Sequence, residues 1–265
     1  MSHPIRVGVF GAGGRMGQTV CKAVCDDSEL DLVAAVDPHH AGLDLRSVTG
    51  IDDNSVQVAA AADELVRKEV EVAVDFTRID AARENLGFLA DKGIHAVVGT
   101  SGFTDGDYDQ LRSRFTSSNC VVAPNFAIGA VLMARFAELA APFFETAEII
   151  ELHHDAKIDA PSGTAMHTAG RMAAASDQWA PDPTTHHTLE GARGGKGPGG
   201  IPVHSVRLRG MVAHQEVLLG TTGQTLTIRH DSYDRTSFMP GVMLAVKRVA
   251  DLPGLTVGLD DVLGI

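Results

Sequence analysis

Across the first 126 residues, short apolar runs alternate with stretches of helical periodicity, and the first connection between them is packed with glycine. Few folds accommodate that rhythm. IRVGVF at 5–10 is β-branched and alternating, so it reads as a strand. GAGGRMG follows at 11–17, and then QTVCKAVCDD reads as a helix with Met16, Val20 and Val24 on one face. LDLVAAVD, ending at Asp37, is a second strand, and EVAVDFT at 71–77 is a third, apolar enough to be covered on both faces. AARENLGFLADKG is a helix stopped by Gly93. IHAVVGT at 94–100 and CVVAPN at 120–125 are further strands, with a short helix near 105–115 between them. Strand and helix in alternation predict an α/β Rossmann domain, a doubly wound parallel sheet.

After Asn125 the rhythm changes. A long helix is expected over about 129–141, with Pro142 at its end, followed by the strand AEIIEL and a helix over about 163–175. Residues 181–200, rich in Pro and Gly, are expected to be a mobile loop. HSVRLR, EVLLG and TLTIRH then cluster as strands, which predicts a second, α+β domain with a mixed or antiparallel sheet. A final helix near 237–250, capped by Ser237, is expected to return to the first domain. The predicted division is therefore 1–126 with 236–265 for the dinucleotide and 127–235 for substrate and assembly.

Composition removes several functional classes. Lys and Arg number 22 against 34 Asp and Glu, a net charge of -12, which opposes binding to nucleic-acid phosphates. Aromatic residues are only 5%, too few for a base-stacking platform. No apolar run reaches the roughly 20 residues that span a bilayer. The N-terminus passes directly into a strand without a signal-peptide core, so a cytoplasmic protein with no membrane partner is expected. Cys21, Cys25 and Cys120 are odd in number, which suggests reduced thiols packed in the core. No metal is expected, because neither the cysteines nor His186 and His187 have further ligands at a recognised spacing.

Gly11, Gly13 and Gly17 form G-x-G-x-x-x-G, one residue longer than the usual dinucleotide fingerprint. Its context strengthens it: a strand before, a helix after, and Asp37 at the end of the next strand. Glycine lets the backbone approach a pyrophosphate, and the helix start offers N–H groups and a positive dipole end. Asp37 would accept from the adenosine ribose hydroxyls. Arg15 can tolerate a 2′-phosphate, but Asp37 would repel it and Pro38 offers no donor. NADH is favoured and NADPH stays open. A tight turn with no ligand is the bland alternative.

The segment ELHHDAKIDAPSGTA, residues 151–165, gathers two histidines, a lysine and a helix start. Pro161 and Asp159 interrupt the chain so that Ser162 can cap a helix at Gly163 and Thr164. Such an end binds a carboxylate. Lys157 would add charge on an otherwise acidic chain, and a histidine can deliver a proton near neutral pH. Glu151 and Asp155 are read as orienting the histidines or facing solvent, with an acid–base pair as the alternative. GTSGF at 99–103 and APNFA at 123–127 follow strand ends, where cofactors bind, and Asn125 can bond an amide. GARGGKGPGG at 191–200 lacks the phosphate-loop spacing and reads as a connection.

GAGGRMG, VVGTSGF, APNFAIGA, HQEVLLG, RTSFMPGV and above all ELHHDAKIDAPSGTA resemble the dihydrodipicolinate reductases. The similarity runs over nearly the whole chain. It implies an NAD(P)H-dependent oxidoreductase of bacterial lysine and diaminopimelate synthesis, acting on a cyclic dicarboxylate and assembled as a homotetramer through the second-domain sheets. The family's cofactor loop falls on Gly11, Ala12, Gly13, Gly14, Arg15 and Met16, and its ribose contact on Asp37. Its nicotinamide-side segments fall on Gly99, Thr100 and Ser101 and on Ala123, Pro124, Asn125 and Phe126. The general acid/base matches His153 and the proton-donating or charge-stabilising lysine Lys157. Substrate carboxylate contacts match His154, Gly163 and Thr164, with Ser162 adjacent. Some members carry an arginine after the acidic residue, where this chain has Pro38. Two other readings stay open: a regulatory protein that senses NAD(H) without turnover, and a related reductase for a different imino or keto acid.

Overall fold

The computed structural model describes residues 3–51 and 55–265, so Met1 and Ser2, with which the N-terminal reading begins, lie outside the described residues. In chain order the elements are β1 (Ile5–Phe10), α1 (Arg15–Cys25), β2 (Leu30–Val36), α2 (Leu45–Thr49), β3 (Val58–Ala59), α3 (Asp63–Arg67), β4 (Val72–Asp75), α4 (Ile79–Lys92), β5 (His95–Val98), α5 (Asp105–Arg114) and β6 (Cys120–Val122). There follow α6 (Ile128–Ala140), β7 (Thr146–His153), α7 (Gly163–Ala175), β8 (Gly195–Lys196), β9 (Pro202–Arg207), β10 (Ala213–Thr221) and β11 (Gln224–Ser232). The chain closes with α8 (Met239–Arg248), β12 (Leu255–Val257) and α9 (Asp260–Leu263). Two compact units result, 1–126 with 238–265 and 127–237.

In the first unit seven strands lie in the order β12-β6-β5-β4-β1-β2-β3, every pair parallel. Along β1, β2 and β4 to β6 the side chains alternate between two buried faces. Phe10, Ala34, Ala73, Ala96, Val98 and Val122 belong to one cluster with Leu86 and Leu89 of α4. Val7, Val9, Val72, Val74, Val97 and Val121 point the other way and are equally buried. Each wholly buried leucine of this kind stabilises by about 1.5–3 kcal/mol. Asp37 therefore follows its strand rather than closing it, and the runs at 71–77, 94–100 and 120–125 end as strands at Asp75, Val98 and Val122.

In the second unit β11-β10-β7-β9-β8 form a mixed sheet, with β7–β9 parallel and the other pairs antiparallel. Ile149, Val203, Val217 and Leu219 pack with Met133 and Ala137 of α6 and Ala169 and Met172 of α7. Three expectations need correction. Gly195 and Lys196, within the stretch expected to be loop, pair with β9 as an edge strand. Ser237 does not cap the last helix: its hydroxyl donates to the Asp234 carbonyl at 2.7 Å. A 3-10 turn over Arg235–Phe238 comes first, and α8 starts at Met239 with Pro240 in its first turn. Cys25 is exposed, four residues along α1 from buried Cys21, because it has turned past the apolar face. Burial pushes the Cys21 thiol up to about 12, so it is an inert packing group.

Candidate active site

Chain connections leave β1 in one direction toward β2 and β3 and in the other toward β4, β5 and β6, so a crevice opens beyond the carboxyl ends of β1 and β4. The loop at 11–17 fills its start. Gly11 turns at φ 66°, a conformation that costs glycine little. The helix α1 follows so closely that a Cβ on Gly17 would lie 2.0 Å from the Gly11 carbonyl oxygen. Gly14 occupies the N-cap without a side-chain cap, and no acidic residue stands in the first turn. The helix start is thus suited to an anion such as a diphosphate.

Asp37 lies just past β2 and is buried. Its Oδ2 accepts the Gly13 N–H at 2.9 Å and its Oδ1 the His39 N–H at 3.0 Å, while His40 Nδ1 stands 3.2 Å from Oδ2. Burial opposes the charge, but His40 and the two N–H groups outweigh it and hold the carboxyl below the usual aspartate range. A carboxylate fixed beside a glycine turn and an uncapped helix fits the ribose and diphosphate of a dinucleotide. Gly99, Thr100 and Ser101 follow β5, and Ala123, Pro124, Asn125 and Phe126 follow β6, so all the predicted cofactor residues share the carboxyl edge of one parallel sheet.

Sequence reading passed over Asp75. This wholly buried carboxylate at the end of β4 accepts the Thr77 N–H and hydroxyl at 2.7 Å and the Asn85 amide at 2.8 Å. The Thr100 hydroxyl in turn donates to the Thr77 carbonyl at 2.9 Å. Asp75 thereby ties the segment after β4 to the one after β5. Its only signal was an acidic residue closing an otherwise apolar strand. Phe76 packs on Phe126, ring centroids 5.7 Å apart.

In the second unit the strand register builds a cluster of its own. On β7, Ala147, Ile149, Glu151 and His153 alternate onto the face that α7 covers, and β9 sets Ser205 opposite Glu151 and Arg207 opposite His153. Glu151 is 0% exposed, yet it is ringed by hydrogen-bond donors. Arg207 grips both its oxygens at 2.8 Å, the Ser162 N–H donates to Oε1 at 3.2 Å, and His153 Nδ1 lies 2.5 Å from Oε2. Burial would raise its pKa, but the bonds from Arg207, Ser205 and His153 prevail and hold it below the glutamate range. For His153 burial prevails instead. It sets the imidazole below its ordinary 6.5, aided by the cations Lys157 and Arg207 and opposed by Glu151.

Ser162 caps α7 as expected, its hydroxyl accepting the Ala165 N–H at 3.2 Å. Gly163 and Thr164 form the first turn, which contains no acidic side chain. Lys157 is drawn onto Asp159, with Nζ 2.8 Å from both carboxylate oxygens. His154 is exposed at the start of the same loop. Asp155 is paired with Arg209 at 2.8 Å and takes no part in orienting His153. His153, Ser162 and the α7 tip are therefore joined through a single carboxylate. Arg207 was not foreseen, because nothing in the sequence links positions 56 residues apart before the strands are paired.

Two family profiles match, "Dihydrodipicolinate reductase, N-terminus" over residues 5–126 and "Dihydrodipicolinate reductase, C-terminus" over 129–263. The chain belongs to the dihydrodipicolinate reductase family. It is an oxidoreductase that uses a nicotinamide cofactor. The 4-hydroxy-tetrahydrodipicolinate reductase of Mycobacterium marinum is 51% identical over 98% of this chain and 100% of its own length. That of Corynebacterium urealyticum is 49% identical over 98% and 99%. Among solved structures, a dipicolinate-bound dihydrodipicolinate reductase from Paenisporosarcina sp. TG-14 aligns at a TM-score of 0.86 and 42% identity, covering 97% of this chain and 99% of that one. An amine dehydrogenase from Mycobacterium smegmatis, 16% identical at a TM-score of 0.66 over 95% and 94%, shares the fold alone. Among the described residues no helix is long and apolar enough to cross a membrane.

Proposed function

We propose that this member of the family converts (2S,4S)-4-hydroxy-2,3,4,5-tetrahydrodipicolinate to tetrahydrodipicolinate in lysine synthesis through diaminopimelate. Substrate, reduced cofactor and a proton give product, oxidised cofactor and water. The observation that carries this reading is the capped tip of α7 held through Glu151 beside a half-buried histidine, with Lys157 in the intervening loop.

Gly163 and Thr164 present the α7 N-terminus to one carboxylate of the substrate, with His154 and Lys157 adding contacts. A helix dipole alone contributes only about 0.3–1 kcal/mol. A charge-assisted bond from the lysine adds about 1.5–3 kcal/mol. When bound, the reduced nicotinamide supplies the hydride. Gly11–Met16 and Asp37 hold the adenosine diphosphate portion, and the segments 99–101 and 123–126 serve the nicotinamide side. His153, or Lys157, delivers the proton to the enamine-like position of the reduced ring. The same reading carries the homotetramer of the family and a cytoplasmic location.

The deciding experiment follows loss of NADH absorbance when the purified protein meets the product of dihydrodipicolinate synthase. Turnover is expected; NADH binding without oxidation would instead favour a sensor, and activity confined to another imino or keto acid a different reductase. NADH is the proposed cofactor, because an ionised Asp37 repels a 2′-phosphate. Asp37→Ala should raise the KM for NADH about tenfold or more, as a hydrogen bond to a charged group is worth roughly 1.5–3 kcal/mol. The KM for NADPH should change less. Equal losses for both cofactors, measured by titration, would remove the ribose contact.

A further inference from the structure

Glu151 is one acid with four partners on three segments. It meets Arg207 of β9, the Ser162 N–H at the tip of α7, and His153 on its own strand. Ser205, opposite it on β9, also bonds to it. Arg207 extends the network, donating from Nη2 to the Asp159 carbonyl at 2.6 Å and so reaching the loop that carries Lys157. A carboxylate without a proton can only accept hydrogen bonds. With Arg207 across both oxygens, the acid stays ionised, and His153 must donate from Nδ1. The ring is then left with Nε2 as its exchangeable position.

We propose that Glu151 and Arg207 are positioning residues for proton delivery: Glu151 fixes His153 so that Nε2 gives the proton, and Arg207 holds Glu151 ionised and anchors the Lys157 loop. The inference rests on the reading of His153 as the acid. In the step itself the imidazolium passes its Nε2 proton to the reduced ring of the substrate. The neutral ring that remains keeps its Nδ1 proton on Glu151, and the electron pair comes with the hydride. The charged groups facing His153 are Glu151 on β7, Arg207 on β9 and Lys157 in the following loop. Its partner on β10 is Ala213, and the first turn of α7 bears no charge.

The test uses the intact protein and two variants. Glu151→Gln keeps the shape but has one acceptor oxygen for Arg207, Ser205, the Ser162 N–H and His153 together. Arg207 takes that oxygen, the amide NH2 turns to His153, and the ring is forced to carry its proton on Nε2. Nitrogen NMR of the substrate-free parent should show His153 with the proton on Nδ1, and Glu151→Gln should reverse it. The variant should lose on the order of 10²–10⁴ in kcat, the scale of a tautomer error in a catalytic histidine. Its descending pH limb should move to lower pH, since a carboxylate no longer favours the imidazolium. The KM for NADH should stay within about twofold of the parent, taking a KM ratio of that size as under 0.5 kcal/mol. Arg207→Lys should leave the tautomer in place and act on KM for the substrate more than on kcat.

A neutral parent His153 whose single ring proton is on Nε2 overturns the proposal, even if Glu151→Gln fails to fold. So does a folded Glu151→Gln with an unmoved pH limb. If His153→Ala retains the parent's kcat, the underlying reading of the acid fails instead, whichever tautomer is seen.

Discussion

Alanine at position 153 is expected to lower kcat by about 10²–10⁴, the usual contribution of a placed proton donor. NADH binding should hardly change, because the predicted cofactor residues all sit in the first unit and His153 ends β7 in the second. The pH dependence separates this from general damage. Burial keeps the imidazole of the free protein below its ordinary 6.5, and in the proposed step the working form is the protonated one. Activity limited by the free enzyme is therefore full below that lowered value and declines as pH rises through it. A bound dianion favours the imidazolium, so the decline in kcat should lie at higher pH than the decline in kcat/KM. His153→Ala should abolish the limb in kcat, leaving a low, flatter profile. Stopped-flow and steady-state rates from pH 5 to 9, a window chosen about the ordinary histidine value, provide the check. An unchanged kcat takes His153 out of the mechanism.

What the residues announce in advance and what they conceal divide along a physical line. Local chemistry is legible. The apolar alternation of 5–10 followed by glycine sets the start of the parallel sheet, and Pro161 followed by Ser162 sets the beginning of α7 at Gly163. Short elements carry too little periodicity: β3 has two residues and α2 and α3 five each, and none was foreseen. The Ser237 hydroxyl had two local partners to choose between, and it serves the Asp234 turn rather than the helix. Non-local pairing is least legible. The histidines and the lysine stand out in one string, whereas Glu151 becomes a node only when β9 brings Arg207 alongside. Asp75 likewise gains its meaning from Thr77, Asn85 and Thr100, which three different segments supply.

Lys157→Ala should impair binding and turnover together. In the structure the ammonium is engaged with Asp159, whose side chain is 58% exposed. Water screens an ion pair whose carboxylate is this open, so the lysine can turn to a substrate carboxylate at little cost. Its loss removes a charge-assisted bond of about 1.5–3 kcal/mol, roughly 10- to 150-fold in KM for the dicarboxylate. It also frees Asp159, whose carboxyl Lys157 holds below the usual aspartate range, to repel the incoming dianion. A fall in kcat adds to this on the proposed reading, in which the same charge stands by the ring that receives the electrons, so kcat/KM should drop by about 10²–10⁴. Lys157→Arg distinguishes the two roles. A guanidinium restores the charge but does not surrender a proton at neutral pH. Recovery of KM with kcat still depressed would make Lys157 a proton donor, and recovery of both would confine it to charge. A defect seen only in NADH binding would contradict either role, since this loop belongs to the second unit and the predicted cofactor residues to the first.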